Sequence, residues 1–122
     1  MLRRLLLPLA ILAVSLTAVA VAGAGTQKST GLTGEVGPGY SIEVKLNGND
    51  LKTIKAGTYK IKVQDKSSQH DFHLVGPGVN KSTSVGSTTE TTWTVTLKPG
   101  RYTYKCDPHA AMGMKGTFRV TA

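Results

Sequence analysis

Five stretches of this chain alternate apolar and polar residues with a period of two, and that pattern restricts it to β-structure. Ile42, Val44 and Leu46 alternate with Glu43 and Lys45, and Tyr59, Ile61 and Val63 with Lys60 and Lys62. Trp93, Val95 and Leu97 alternate with Thr92, Thr94 and Thr96. Tyr102, Tyr104 and Cys106 alternate with Thr103 and Lys105, and Phe118 and Val120 with Thr117 and Arg119. Each stretch predicts a strand with one buried and one wet face. Turn-forming residues separate them: Asn47-Gly48-Asn49-Asp50, Ala56-Gly57, Gly76-Pro77-Gly78 and Lys98-Pro99-Gly100. The Ser/Thr-rich stretch from Asn80 to Thr91 reads as a loop, and nothing after the N-terminal leader has helical periodicity. Short strands at regular spacing fold into an all-β sandwich or barrel of antiparallel type.

The N-terminus is different in kind. Arg3 and Arg4 precede a nearly uninterrupted apolar run from Leu5 to Ala22, which ends on Ala20-Val21-Ala22. Residues 1–22 therefore read as a signal peptide, with an uncleaved membrane anchor as the competing reading. Both put the remainder outside the cytoplasm: periplasmic, cell-surface-associated or extracellular. Residues 23–39 are rich in Gly, Ser and Thr and read as a flexible arm, leaving 40–122 as the folded domain. The formal charge of the whole chain is +8, and removing Arg3 and Arg4 leaves +6. The basic residues are scattered along strands, so they indicate a solvated surface able to meet an acidic partner rather than nucleic acid. Membrane contact is expected only if the leader is retained.

Cys106 is the only cysteine, so an exported domain of this size has no internal disulfide to support it. Its neighbourhood points to metal chemistry instead. Cys106-Asp107-Pro108-His109-Ala110-Ala111-Met112-Gly113-Met114 places a thiolate, an imidazole and a thioether in one short loop. Such donors suit copper far better than magnesium, calcium or manganese. Upstream, His70, Phe72 and Leu74 share one strand face, and Asp71 and His73 the other. Because Phe72 and Leu74 are core residues, His70 is expected to face inward and His73 outward. Cys106 lies on the face of Tyr102 and Tyr104, so it too points inward. His109 follows three residues later across Pro108, close enough to turn toward the same point.

At these residues the chain resembles the cupredoxins, the small blue copper proteins that include plastocyanin, amicyanin and azurin. The Cys106 to Met114 loop resembles the plastocyanin ligand loop, and Ser68-Gln69-His70-Asp71-Phe72-His73-Leu74 the amicyanin segment around its first histidine ligand. The resemblance implies a Greek-key β-sandwich over 40–122 that binds one copper ion, cycling between Cu(I) and Cu(II). His70 and His109 would supply nitrogens, Cys106 the thiolate and Met114 the long axial sulfur. The run Met114-Lys115-Gly116 before the last strand selects Met114 over Met112. Asp71 replaces the asparagine usual in the family, whose side chain ties the two ligand loops together.

Four bound side chains leave no open position for a substrate, which argues for a one-electron carrier and against an enzyme; a monomer is expected. The rival readings are a copper carrier or storage protein of the same fold, a structural zinc domain, and a metal-free β-sandwich adhesion or binding module. Ala110 to Gly113 and Gly76-Pro77-Gly78 are expected to gather around the edge of His109 as a small apolar port. Lys81, Lys105 and Lys115 are expected to steer a redox partner with an acidic surface.

Overall fold

The computed structural model describes residues 28–122. Ten strands follow one another: β1 (Lys28–Val36), β2 (Ile42–Leu46), β3 (Asn49–Asp50), β4 (Thr53–Lys55), β5 (Gly57–Asp65), β6 (His73–Gly76), β7 (Val79–Ser82), β8 (Thr89–Leu97), β9 (Gly100–Lys105) and β10 (Lys115–Thr121). A short 3-10 helix, Asp107–Met112, lies between the last two. One sheet has the order β3-β2-β1-β5-β8 and the other β4-β10-β9-β6-β7. The chain passes repeatedly from one sheet to the other, as a Greek-key sandwich requires. The four expected turns join β2 to β3, β4 to β5, β6 to β7 and β8 to β9. At the first of them Asn47 and Gly48 take φ of 51° and 82°, the left-handed pair of a tight hairpin.

The alternating residues fill the space between the sheets. Val44, Ile61, Val63, Val95 and Leu97 come from one side, and Phe72, Leu74, Tyr102, Phe118 and Val120 from the other. Burying each such aliphatic side chain stabilises the fold by roughly 1.5–3 kcal/mol before chain entropy is counted.

Two expectations are corrected. Of the stretch read as a flexible arm, Lys28–Val36 is instead a central strand, antiparallel to β2 and parallel to β5. Leu32 and Val36 are buried there, and Gly34 takes the core position between them because Phe72 from the other sheet fills that space. A Cβ on Gly34 would collide with the Phe72 ring. The parallel pairs β1–β5 and β4–β10 thus add to an otherwise antiparallel sandwich. The Asn80–Thr91 stretch is not all loop either: β7 runs to Ser82 and β8 begins at Thr89.

The leader reading falls on residues 1–22, outside the described residues, as does the arm before Lys28. Among the described residues no helix is long and apolar enough to cross a membrane.

Candidate metal centre

At one end of the sandwich, loops from both sheets meet. The His70 segment leaves β5 at Asp65, whose buried carboxylate accepts hydrogen bonds from Ser67 N at 3.3 Å and Thr83 Oγ1 at 2.7 Å. Thr83 Oγ1 accepts from Phe72 N at 2.8 Å, and Gly86 N donates to Ser68 O at 2.8 Å. Each end of the segment is therefore braced, and His70 is held almost fully buried. His70 and Asp71 precede β6 rather than lying in it. The regular alternation stops there, so Asp71 turns inward and is buried, contrary to expectation.

The second loop starts where β9 ends. Cys106 is extended (φ −95°, ψ 116°) and caps the 3-10 helix, with Pro108 in its first turn. Side chains three residues apart eclipse in a 3-10 helix, which aligns His109 with the start of the turn. The loop closes on itself: Cys106 N donates to Met114 O at 3.0 Å and Met114 N to His109 O at 3.3 Å. Gly113 ends the helix in the left-handed region at φ 96°, a position only glycine adopts freely.

The three expected strong donors are brought together. His70 Nδ1 lies 2.9 Å from His109 Nδ1, and Cys106 Sγ lies 3.5 Å and 3.4 Å from those two nitrogens. Donors that bind a common ion at about 2.0–2.3 Å need separations of this order, so the residues present fit a metal. Two imidazoles and a thiolate suit copper or zinc, not a hard cation. Burial pushes the Cys106 thiol above its usual range, and hydrogen bonds from nearby backbone N–H groups only partly oppose this. Metal binding would have to displace that proton. Met114 is buried (3% exposed) on the same loop, whereas Met112 is 66% exposed.

Beside the donors lies a polar brace. Asp107 N donates to Asp71 Oδ1 at 2.6 Å, so an aspartate makes the link between the two loops. Burial, followed by the hydrogen bond to Asp107, raises the Asp71 carboxyl. Asp107 is lowered, first by its hydrogen bond with Asp71 and then by His73. His73 is half-buried, with Nδ1 at 2.9 Å and 3.0 Å from the Asp107 oxygens and Nε2 at 2.6 Å from Asn80 Oδ1. Asp71, His73 and Asp107 are close enough to be a second metal cluster. His73, however, directs both ring nitrogens at protein oxygens, as an imidazolium would. Burial works against that charge, but the hydrogen bonds to Asp107 and Asn80 outweigh it and leave the His73 pKa raised.

The sign of the resulting pH dependence follows. A raised folded value means that His73 stabilises the fold fully below about pH 6.5 and loses that contribution as pH climbs through the folded value. His73→Ala should therefore cost most at pH 5–6 and least near pH 9, with the metal spectrum intact. Urea unfolding across that range checks it; a cost independent of pH would show that the imidazolium bridge contributes nothing.

Sequence reasoning missed Tyr40. Its ring lies across both candidate imidazoles, with centroids 5.3 Å from His70 and 5.0 Å from His109. An aromatic after Gly37-Pro38-Gly39, with no strand face to pack on, was the only available signal. Of the residues expected to form a port, Ala110 to Gly113 follow His109 through the 3-10 helix and its cap at this end, but Gly76-Pro77-Gly78 lies at the other. There the Tyr102 hydroxyl donates to Pro77 O at 2.6 Å and accepts from Lys98 N at 3.0 Å. β6 starts at the loops, where His73 pairs with Lys105, and runs away from them, so the turn that ends it lies at the opposite pole.

Residues 47–121 match the family described as copper-binding proteins of the plastocyanin/azurin family. Among solved structures, the chain is similar to reduced rusticyanin at 25% identity, covering 74% of this chain and 77% of that one, with a TM-score of 0.55. A methionine-to-glutamine mutant of rusticyanin gives 26% identity, 74% and 76% coverage and a TM-score of 0.54. Rusticyanin from Thiobacillus ferrooxidans gives 22%, 74% and 75%, and 0.51, which supports the fold alone. No curated protein matches the chain.

Proposed function

The chain belongs to the plastocyanin/azurin family of copper-binding proteins, and on that premise we propose that it is an exported one-electron carrier. Copper bound here would supply a one-electron couple between Cu(II) and Cu(I). His70 and His109 would offer Nδ1, Cys106 its thiolate and Met114 a weak axial thioether. The observation that carries this reading is the convergence of His70, Cys106 and His109 from two separately braced loops. Side chains held by the Asp65–Thr83 and Asp71–Asp107 links have little freedom to move, so the donors can serve both oxidation states with small rearrangement. Four occupied positions leave no place for a substrate, which favours a carrier over an enzyme.

Burial of Met114 and exposure of Met112 support Met114 as the axial donor. Residues 1–22 would direct export, and the domain would act as a monomer. The half-buried edge of His109, among Ala110, Ala111 and Met112, would be the electron port to a redox protein. Exposed lysines such as Lys81 and Lys115 favour an acidic partner.

Adding one equivalent of cupric ion to the mature protein tests the reading. An intense visible thiolate band and a reversible one-electron wave are expected. A colourless complex would indicate zinc-like binding, and a coloured protein that quickly yields its metal to a competing chelator would indicate delivery or storage. Met114→Leu should keep the band but raise the potential, because losing a donor disfavours the more highly charged oxidation state. Met112→Leu should change neither; the opposite ranking would reassign the axial donor.

A further inference from the structure

Among the described residues the large hydrophobic side chains left exposed are Tyr40, Val85 and Met112, at 67%, 51% and 66%. Tyr40 differs from the other two in what its ring touches. It meets His70 at an interplanar angle of 68° and His109 at 74°, and those two imidazoles meet each other at 80° with centroids 4.8 Å apart. Three rings thus stand edge to face in a mutually crossed set, the arrangement that aromatic quadrupoles favour.

The backbone holds Tyr40 in that place. Gly37 N donates to Ser41 O at 2.9 Å, closing the turn that carries it. The turn is tied to the His70 segment at its base, where Lys66 N donates to Val36 O at 2.9 Å. Gly37 has φ of 74°, and a Cβ there would press on Ser67 Cβ at 3.0 Å. The turn keeps this shape because glycine adopts the left-handed region freely and leaves room for Ser67. His70 is buried beneath Tyr40, and His109 is half-buried beside it.

We propose that Tyr40 is a positioning residue of the metal centre, whose ring fixes the planes of both histidines and shields them from water. This role rests on the assignment of His70 and His109 as ligands. Nothing in it requires the phenol hydroxyl, so Phe should replace Tyr and Ala should not. Orientation by a neighbour matters because a misaligned imidazole binds less well, and removing such neighbours typically costs about 10–100-fold in metal affinity. Water admitted to the centre would also favour the more highly charged oxidation state and lower the potential.

The test compares the wild type with Tyr40→Ala and Tyr40→Phe in the mature protein. In the metal-free proteins, the ring-proton resonances of His70 and His109 are measured by NMR. Tyr40→Ala should shift and broaden both sets, and Tyr40→Phe should restore them. In the copper-loaded proteins, Tyr40→Ala should lower cuprous affinity about tenfold, measured against a competing chelator, and lower the potential. Tyr40→Phe should again match wild type. Unchanged imidazole resonances, affinity and potential in Tyr40→Ala would overturn the proposal, as would a Phe variant that behaves like Ala. If the wild type itself forms no cupric-thiolate band, the functional reading fails, while the metal-free NMR comparison still decides whether Tyr40 orients the rings.

Discussion

Cys106→Ser should give a folded, colourless protein. The intense visible band of a cupric thiolate arises from the copper–sulfur bond, so serine, a harder and far less acidic donor, cannot reproduce it. The fold should survive because Cys106 makes no disulfide and its position is set by the backbone bond from Cys106 N to Met114 O. A hydroxyl in place of the thiol is nearly isosteric and would still find the two imidazole nitrogens, at 3.5 Å and 3.4 Å from the present sulfur. The experiment pairs an optical titration with cupric ion against circular dichroism of the metal-free protein. A variant that remains native by dichroism yet keeps the band would remove Cys106 from the centre.

Phe72→Ala should produce the largest loss of stability. Phe72 is fully buried and crosses between the sheets, its ring filling the space above Gly34 of β1. Trp93 and Tyr104 complete its surroundings at centroid distances of 6.0 Å and 6.4 Å. Because Gly34 has no side chain and its neighbours belong to two sheets, little can collapse into the vacancy. Truncating a buried Phe to Ala costs about 3–5 kcal/mol. In a domain of this size that lowers the melting temperature by roughly 15–30 °C. Metal-free protein must be used, since a bound ion adds its own stabilisation. Phe72→Leu fills much of the volume and should cost far less; equal losses for Leu and Ala would mean that the ring does not bridge the sheets as described.

The legible part of this molecule was the part that follows a rule of alternation. β2, β5, β8, β9 and β10 fall where apolar residues recur at every second position, and their turns fall on Gly, Pro and Asn. β1 escaped because its central core position is a glycine, so the pattern Leu32-Thr33-Gly34-Glu35-Val36 looks like linker. The missing side chain is supplied by Phe72 from the opposite sheet, a long-range fact that no local window contains. The convergence of His70 with Cys106 and His109 could be anticipated because two strand faces and a short spacing pointed the same way. Asp71 could not be placed by that logic, since it lies just before β6, where alternation no longer applies. Tyr40 was invisible for a similar reason. Its partners are 30 and 69 residues further on, and only the folded loops bring them together.

The direction of β1 has a consequence for how the protein meets its surroundings. Val36, paired with Asp65, ends at the loops that carry His70, whereas Lys28, paired with Tyr59, lies at the opposite pole. The ends pair with β5 residues six positions apart, which separates them by about 20 Å. Whatever precedes Lys28 joins the sandwich far from His109. A retained leader would hold the domain by its base, and the port proposed at His109 would look outward.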